Sequence, residues 1–219
     1  MRFAELLLDW FFPPRCVFCG KLAKGGVCPP CNAVLPKTGE NAVVTGEGGM
    51  RVAAPLFYEG RVRESLIRFK FHEKDMYADT YGRLLAACAA EEFGGEFDTV
   101  TYIPVSRKRL RERGYDQAEL LAKAMASHWQ ISPTVTLEKV RDNPRQSSIT
   151  EEYERRANVL GAYRAVGAET FAGKRILLLD DIYTTGSTMA EAARTLKEAG
   201  AEEVLGIAVA RKRTGNTKK

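Results

Sequence analysis

The stretch RILLLDDIYTTGST, residues 175 to 188, constrains the fold of this 219-residue chain more than any other. Its aliphatic run reads as a buried strand that terminates in Asp180 and Asp181, and a helix follows from about Thr188 to Ala199, ended by Gly200. The same rhythm recurs upstream. Strands are expected at 52 to 58, 98 to 105 and 134 to 140, and helices at 61 to 70 and 76 to 92. A further helix carries Ala118, Leu121, Ala122, Met125 and Trp129 on one stripe, with Asp116 and Glu119 placed as a capping box. A last strand is expected at 203 to 210. Such alternation predicts an α/β fold, a mostly parallel sheet with helices on both faces.

In sheets of this kind ligands bind beyond the carboxyl ends of the strands. Asp180 and Asp181 stand at such an end, and Thr184, Thr185, Gly186, Ser187 and Thr188 open the helix that follows. The first amides of a helix have no partner within it, and with the helix dipole and the hydroxyls they favour a phosphate. Gly186 allows close backbone approach. Two carboxylates suit hydroxyls and Mg²⁺, so a phosphorylated sugar answers to both halves of the motif. Rival readings fit less well. Haloacid-dehalogenase phosphatases need D-x-D where Ile182 and Tyr183 stand, receiver domains space their acids along the chain, and no nucleotide-triphosphate P-loop is present.

Four of the five cysteines form two C-x2-C knuckles, Cys16 with Cys19 and Cys28 with Cys31, only eight residues apart. Two such knuckles close a tetrahedral thiolate shell around Zn²⁺, with Gly20, Gly25 and Gly26 for the tight turns, and a complete shell makes the zinc structural. Two disulfides are the alternative, but nothing in the chain indicates an oxidising compartment. Cys88 shares a helical face with Tyr77, Tyr81 and Leu84 and reads as buried filler.

The domains are expected at 1 to 45, a helix and zinc ribbon, and 46 to 219, the main α/β unit, joined through a Gly- and Thr-rich connection with a short strand near Ala42 to Val44. Phe3, Leu6, Leu7, Trp10 and Phe11 recur at helical spacing, but Glu5 and Asp9 interrupt a run too short for a membrane span. The expected location is therefore cytoplasmic. A hydrophobic fraction of 45% and a charged fraction of 28% indicate a sizeable core. The net charge of +5 hides two basic clusters, Arg107 to Arg113 and Arg211 to Lys219, that suit phosphate-bearing partners. His72 and His128 are isolated and read as surface or packing residues.

LLLDDIYTTGST resembles the phosphoribosyl pyrophosphate (PRPP) signature of type I phosphoribosyltransferases. The paired knuckles after FFPPRC, the stretch IPVSRKRLRERGYDQAELLA, the later RQSSITEEYERRANVLGAY and this loop follow the order of the ComF family of competence proteins. Asp116 stands where that family often has Asn. The resemblance implies that Asp180 and Asp181 hold the ribose hydroxyls and help place Mg²⁺, while Thr184 to Thr188 cradle the 5′-phosphate. It further implies that Lys70 meets the pyrophosphate and that 107 to 115 is a mobile loop bringing Arg107, Arg111 or Arg113 to it. Arg141, Gln146, Arg155 and Asn158 also match the family pattern. The implied activity is transfer of ribose 5-phosphate from PRPP to an unknown acceptor during DNA uptake for natural transformation. The alternative is a non-catalytic, PRPP-responsive module that binds single-stranded DNA or a protein, a DNA-uptake helicase or another competence protein being the candidate partners.

Overall fold

Strand β7 (Arg175–Tyr183) runs between β4 (Thr99–Tyr102) and β8 (Glu203–Arg211), parallel to both, in a computed structural model that describes residues 14–70, 74–141 and 159–213. Its aliphatic run is buried on both sides. Ile176 and Leu178 enter one apolar cluster, and Leu177 and Leu179 enter the other, as strict strand alternation requires. Helices Gly60–Phe69, Lys74–Phe93 and Gln117–Ser127 pack on the face of Leu177 and Leu179, while Ala168–Phe171 and Ser187–Glu198 cover the face of Ile176 and Leu178.

The sheet order is β1 (Val43–Thr45), β2 (Arg51–Ala53), β8, β7, β4, with β3 (Leu56–Phe57) also on β8. All pairs are parallel except β1 with β2. The single strand expected at 52 to 58 is two strands. Both keep one register against β8, Val52 opposite Gly206 and Leu56 opposite Ala210, but Pro55 lies between them and has no N–H to give to the ladder. The strand expected at 134 to 140 also divides. Thr134 N–H donates to Val100 O at 2.8 Å and the Thr136 and Thr101 hydroxyls meet at 2.7 Å, after which β5 (Leu137–Lys139) pairs antiparallel with β6 (Tyr163–Ala165) in a separate sheet.

Two further expectations need correction. The strand that was to stop at its acids continues through Tyr183, because β8 still pairs with it there: Asp180 lies opposite Ala208 and Tyr183 opposite Arg211. The basic segment expected as a mobile loop contains the helix Arg107–Arg113. Ser106 caps it by accepting from Arg109 N–H, and Gly114, at φ +75°, ends it in the left-handed conformation.

The ribbon residues belong to the same apolar cluster as the sheet, through Val17 and Phe18, and Phe18 meets the Tyr81 ring edge-on at 6.1 Å. Cys88 is buried, and burial pushes its thiol up to about 12, in keeping with an inert packing role. Of the basic carboxyl end, Arg211 and Arg213 stack on the Phe57 ring, 4.7 and 3.9 Å from its centroid, so they are committed to the fold. The helix expected over residues 3 to 11, His72, Gln146, Arg155, Asn158 and the last six residues lie outside the described residues.

Candidate functional site

The sulfur atoms of Cys16, Cys19, Cys28 and Cys31 all lie within 4.8 Å of one another, and all four thiols are free of disulfides. A tetrahedral zinc–thiolate shell has sulfur atoms ~3.8 Å apart. The Cys19 and Cys28 sulfurs, at 3.6 Å, already have that spacing. Electrostatics point the same way. Burial raises the Cys16 thiol, yet backbone N–H groups of Cys28, Cys19 and Phe18 outweigh it and bring the group to about 7. Burial and the neighbouring thiols push Cys31 up to about 12. Four thiolates so close do not coexist without a cation, and Zn²⁺ supplies the charge that this donor set lacks.

One helix leads from this shell to the second site. On Gly60–Phe69, Arg61 Nη1 lies 3.2 Å from the Cys31 sulfur, and Ser65 Oγ donates to Val17 O at 2.6 Å. Arg68 Nη2 donates to Val17 O and Phe18 O at 2.9 and 3.0 Å, so the helix grips the first knuckle by its backbone. Lys70 follows as the C-cap residue, and its Nζ stands 2.9 Å from Asp181 Oδ2. Tyr115 hydroxyl, donating to Phe69 O, ties the same helix end to the opposite wall of the cleft.

The cleft itself encloses about 580 Å³ at the carboxyl end of β7. Asp180 and Asp181 form its floor, and Asp180 Oδ1 accepts from Asp181 N–H at 2.8 Å. Burial, then the neighbouring Asp181 charge, holds the Asp180 carboxyl well above the usual carboxylate range, and Lys70 and Lys139 only partly oppose this. Lys70 is raised in turn, chiefly by Asp181. A carboxylate pair that carries its second charge reluctantly gains from an added cation, which is the fit expected of a Mg²⁺-assisted site.

Thr184 to Thr188 form the adjoining wall. Gly186, at φ +82°, is the N-cap of the twelve-residue helix Ser187–Glu198, and the Thr185 and Ser187 hydroxyls meet at 3.1 Å. Ser187, Thr188 and Met189, the first residues of this helix, line the cleft, and first-turn amides without helical partners suit an anion.

The basic helix supplies the facing wall, but not with every arginine of the expected set. Arg113 lines the cleft, held by its Nη1 donating to Gln117 Oε1 at 2.9 Å. Arg107 turns away to Glu138, at 2.6 Å, and neither it nor Arg111 is among the lining residues. Asp116 caps the following helix through Ala118 and Glu119 N–H groups and also accepts from Val105 N–H at 2.7 Å, so its contacts are structural. Arg141 donates to Leu160 O, and His128 is an exposed helix C-cap.

Several lining residues were not singled out for the cleft from the sequence, Arg109, Glu112, Lys139 and Tyr163 among them. Arg109 and Glu112 come from the basic helix, and Lys139 and Tyr163 come from the small β5–β6 sheet, where Lys139 Nζ sits 5.2 Å from the Tyr163 ring centroid. Alternation of basic residues along the helix was the available signal for Arg109. Nothing local marks Lys139 and Tyr163, because pairing of two distant strands brings them together.

A family model described as phosphoribosyl transferase domain matches residues 115–219, and one described as double zinc ribbon domain matches residues 7–42. The chain is similar to competence protein F of Haemophilus influenzae, 27% identical over 220 residues that cover 89% of this chain and 95% of that protein. It is also similar to competence protein ComFC of Bacillus subtilis, 30% identical over 145 residues, 65% of this chain and 56% of that protein. A solved structure, a phosphoribosyltransferase from Corynebacterium diphtheriae, aligns at 20% identity over 80% of this chain and 79% of that one, with a TM-score of 0.41.

Proposed function

From the premise that the chain belongs to the ComF family, a zinc ribbon joined to a phosphoribosyl transferase domain, we propose that its cleft binds PRPP with Mg²⁺ and transfers ribose 5-phosphate to an acceptor in DNA uptake. One observation carries the reading: a half-buried acid pair, its lysine partner and an anion-suited helix mouth converge on a single cleft. Asp180 and Asp181 would hold the ribose hydroxyls and the metal, and Thr184, Thr185, Gly186, Ser187 and Thr188 the 5′-phosphate. Mg²⁺ bound with PRPP supplies neutralising charge for the pyrophosphate. Displacement at the anomeric carbon releases pyrophosphate, and bond breaking ahead of bond making places growing negative charge on the departing oxygens. Lys70 and Arg113, the cations proposed as catalytic on two walls of the cleft, stabilise that charge. The enclosing walls limit access of water, a competing nucleophile. Arg107 and Arg111 are proposed to reach the ligand only if the basic helix shifts, since neither lines the cleft as it stands.

A second reading has its own support. The basic helix forms one wall of the cleft and presents Arg107, itself 83% exposed in its side chain, outward, so ligand occupancy and a basic surface share one element. A PRPP-responsive module that binds single-stranded DNA uses the same parts without turnover.

Incubation with labelled PRPP, Mg²⁺ and candidate acceptors, single-stranded DNA among them, separates the two. Acceptor-dependent pyrophosphate release is expected for the transferase. Saturable PRPP binding without release favours the module, and then combined neutralisation of Arg107, Arg109 and Arg111 should flatten the salt dependence of DNA affinity. Absence of any Mg²⁺-dependent PRPP binding would defeat both.

A further inference from the structure

Tyr183 stands at a position that the phosphate-loop motif leaves variable, yet its phenol is wedged between two glycines distant in sequence. A Cβ on Gly186 would lie 2.5 Å from the Tyr183 Oη, 2.8 Å from Cζ and 2.9 Å from Cε2. A Cβ on Gly46 would lie 2.7 Å from the same Oη, whereas its next neighbour, Met50 O, is 3.4 Å away. Real carbon atoms do not approach so closely, so each glycine is required by the phenol. Gly46, with φ −86° and ψ −171°, has a backbone that any residue adopts. Only the tyrosine makes a side chain unwelcome there.

The backbone that carries the ring is anchored, and the side chain packs against the cluster of Ile176 and Leu178. Tyr183 pairs with Arg211 in the sheet and its carbonyl accepts from Lys212 N–H at 3.0 Å. Gly46 is equally fixed, since its N–H donates to Met50 O at 2.7 Å across the β1–β2 turn. The phenol is thus a spacer between a rigid hairpin and the residue that opens the helix Ser187–Glu198.

We propose that Tyr183 is a positioning residue for the phosphate loop, and that the β1–β2 hairpin is its backstop. Gly46, which does not line the cleft, then governs phosphate affinity by leaving the phenol its seat. The hairpin side prevents the ring from retreating, the Gly186 side prevents it from advancing, and the height of Gly186 fixes where the following amides point. This inference rests on the reading of Thr184 to Thr188 as a phosphate cradle.

The probe is ribose 5-phosphate, titrated with Mg²⁺ by calorimetry into wild type, Gly46→Ala, Tyr183→Phe, the Gly46→Ala/Tyr183→Phe double variant and Gly186→Ala, with and without Tyr183→Phe. Gly46→Ala is expected to weaken binding about tenfold with an unchanged unfolding midpoint, as for a small overpacking strain delivered to the loop. Tyr183→Phe alone, which removes the oxygen seated against the hairpin, weakens binding about threefold, and the double variant matches Tyr183→Phe and not Gly46→Ala, because the oxygen that the new methyl group strikes is gone. Gly186→Ala is not rescued by Tyr183→Phe, since the ring carbons and the positive φ remain. Gly46→Ala binding like wild type, or a loss that the double variant does not bring back to the level of Tyr183→Phe, overturns the inference alone. Wild type that binds neither ribose 5-phosphate nor PRPP overturns the cradle reading and takes the inference with it.

Discussion

The zinc ribbon and the cleft are two binding sites made in opposite ways. All four sulfur ligands fall between residues 16 and 31, and turns within that stretch bring them together. The cleft draws Lys70, Arg113, Lys139, Tyr163 and Asp180 from separate elements, and only the assembled sheets bring them into reach. Their electrostatics differ as well. The ribbon is a set of donors that a single cation completes. The cleft contains opposing charges already, Lys70 against Asp181, and still leaves Asp180 reluctant to ionise. A local site therefore stabilises the fold when filled, whereas the dispersed one stores unfavourable charge that a ligand relieves.

The sharpest way to break this contrast is to damage the ribbon. Cys31→Ser should lose zinc and destabilise the protein by on the order of 4 kcal/mol, the range expected when a metal site is lost. Metal analysis and urea unfolding check it, and full stability without zinc would make the ribbon an ornament. Next in size is the acid pair. Asp180→Asn should cost roughly 100-fold in Mg²⁺-dependent PRPP affinity, about the effect of losing two charge-assisted contacts.

The same substitution should stabilise the ligand-free protein by about 1 kcal/mol at neutral pH, a trade between function and stability. The sign follows from Asp180 being raised when folded. From the ordinary carboxylate range up to that raised value, the folded state holds a proton that the unfolded chain has released. Wild-type stability thus falls as pH rises through this window, and Asp180→Asn removes that portion of the fall. Urea midpoints for both proteins across pH test it, and parallel profiles would refute it.

The smallest effect sharpens the comparison at the element both regions share. Arg68→Ala loosens the helix Gly60–Phe69 from the first knuckle, whereas Arg83→Ala removes a contact to Gly25 O from a different helix. PRPP affinity should fall about threefold for Arg68→Ala, as for a modest coupling energy, and stay unchanged for Arg83→Ala. Equal behaviour of the two variants would show that the ribbon and the cleft are independent.

Much of the fold was legible because its signals are short-range. The aliphatic run before Asp180, the helix cap at Asp116 and the stop at Gly200 each act within a few residues. Where the reading failed, the deciding partner lay elsewhere. β7 extends past its acids because β8 continues beside it, and the proline in the second strand segment breaks the ladder without shifting its register against β8. The basic segment carried its own cap in Ser106 and its own stop in Gly114, so its helix was readable, and the family analogy to a loop obscured it.

By itself, the sequence determined the four-thiol cluster of the ribbon and the strand, acids and glycine turn beside the cleft, because spacing along the chain sets those geometries. Tertiary structure alone decided that Lys70 would face Asp181, that Arg113 and not Arg107 would line the cleft, and that Gly46 would touch the phenol behind Gly186. Those are relations between side chains from different elements, and packing, not sequence distance, sets how far apart they stand.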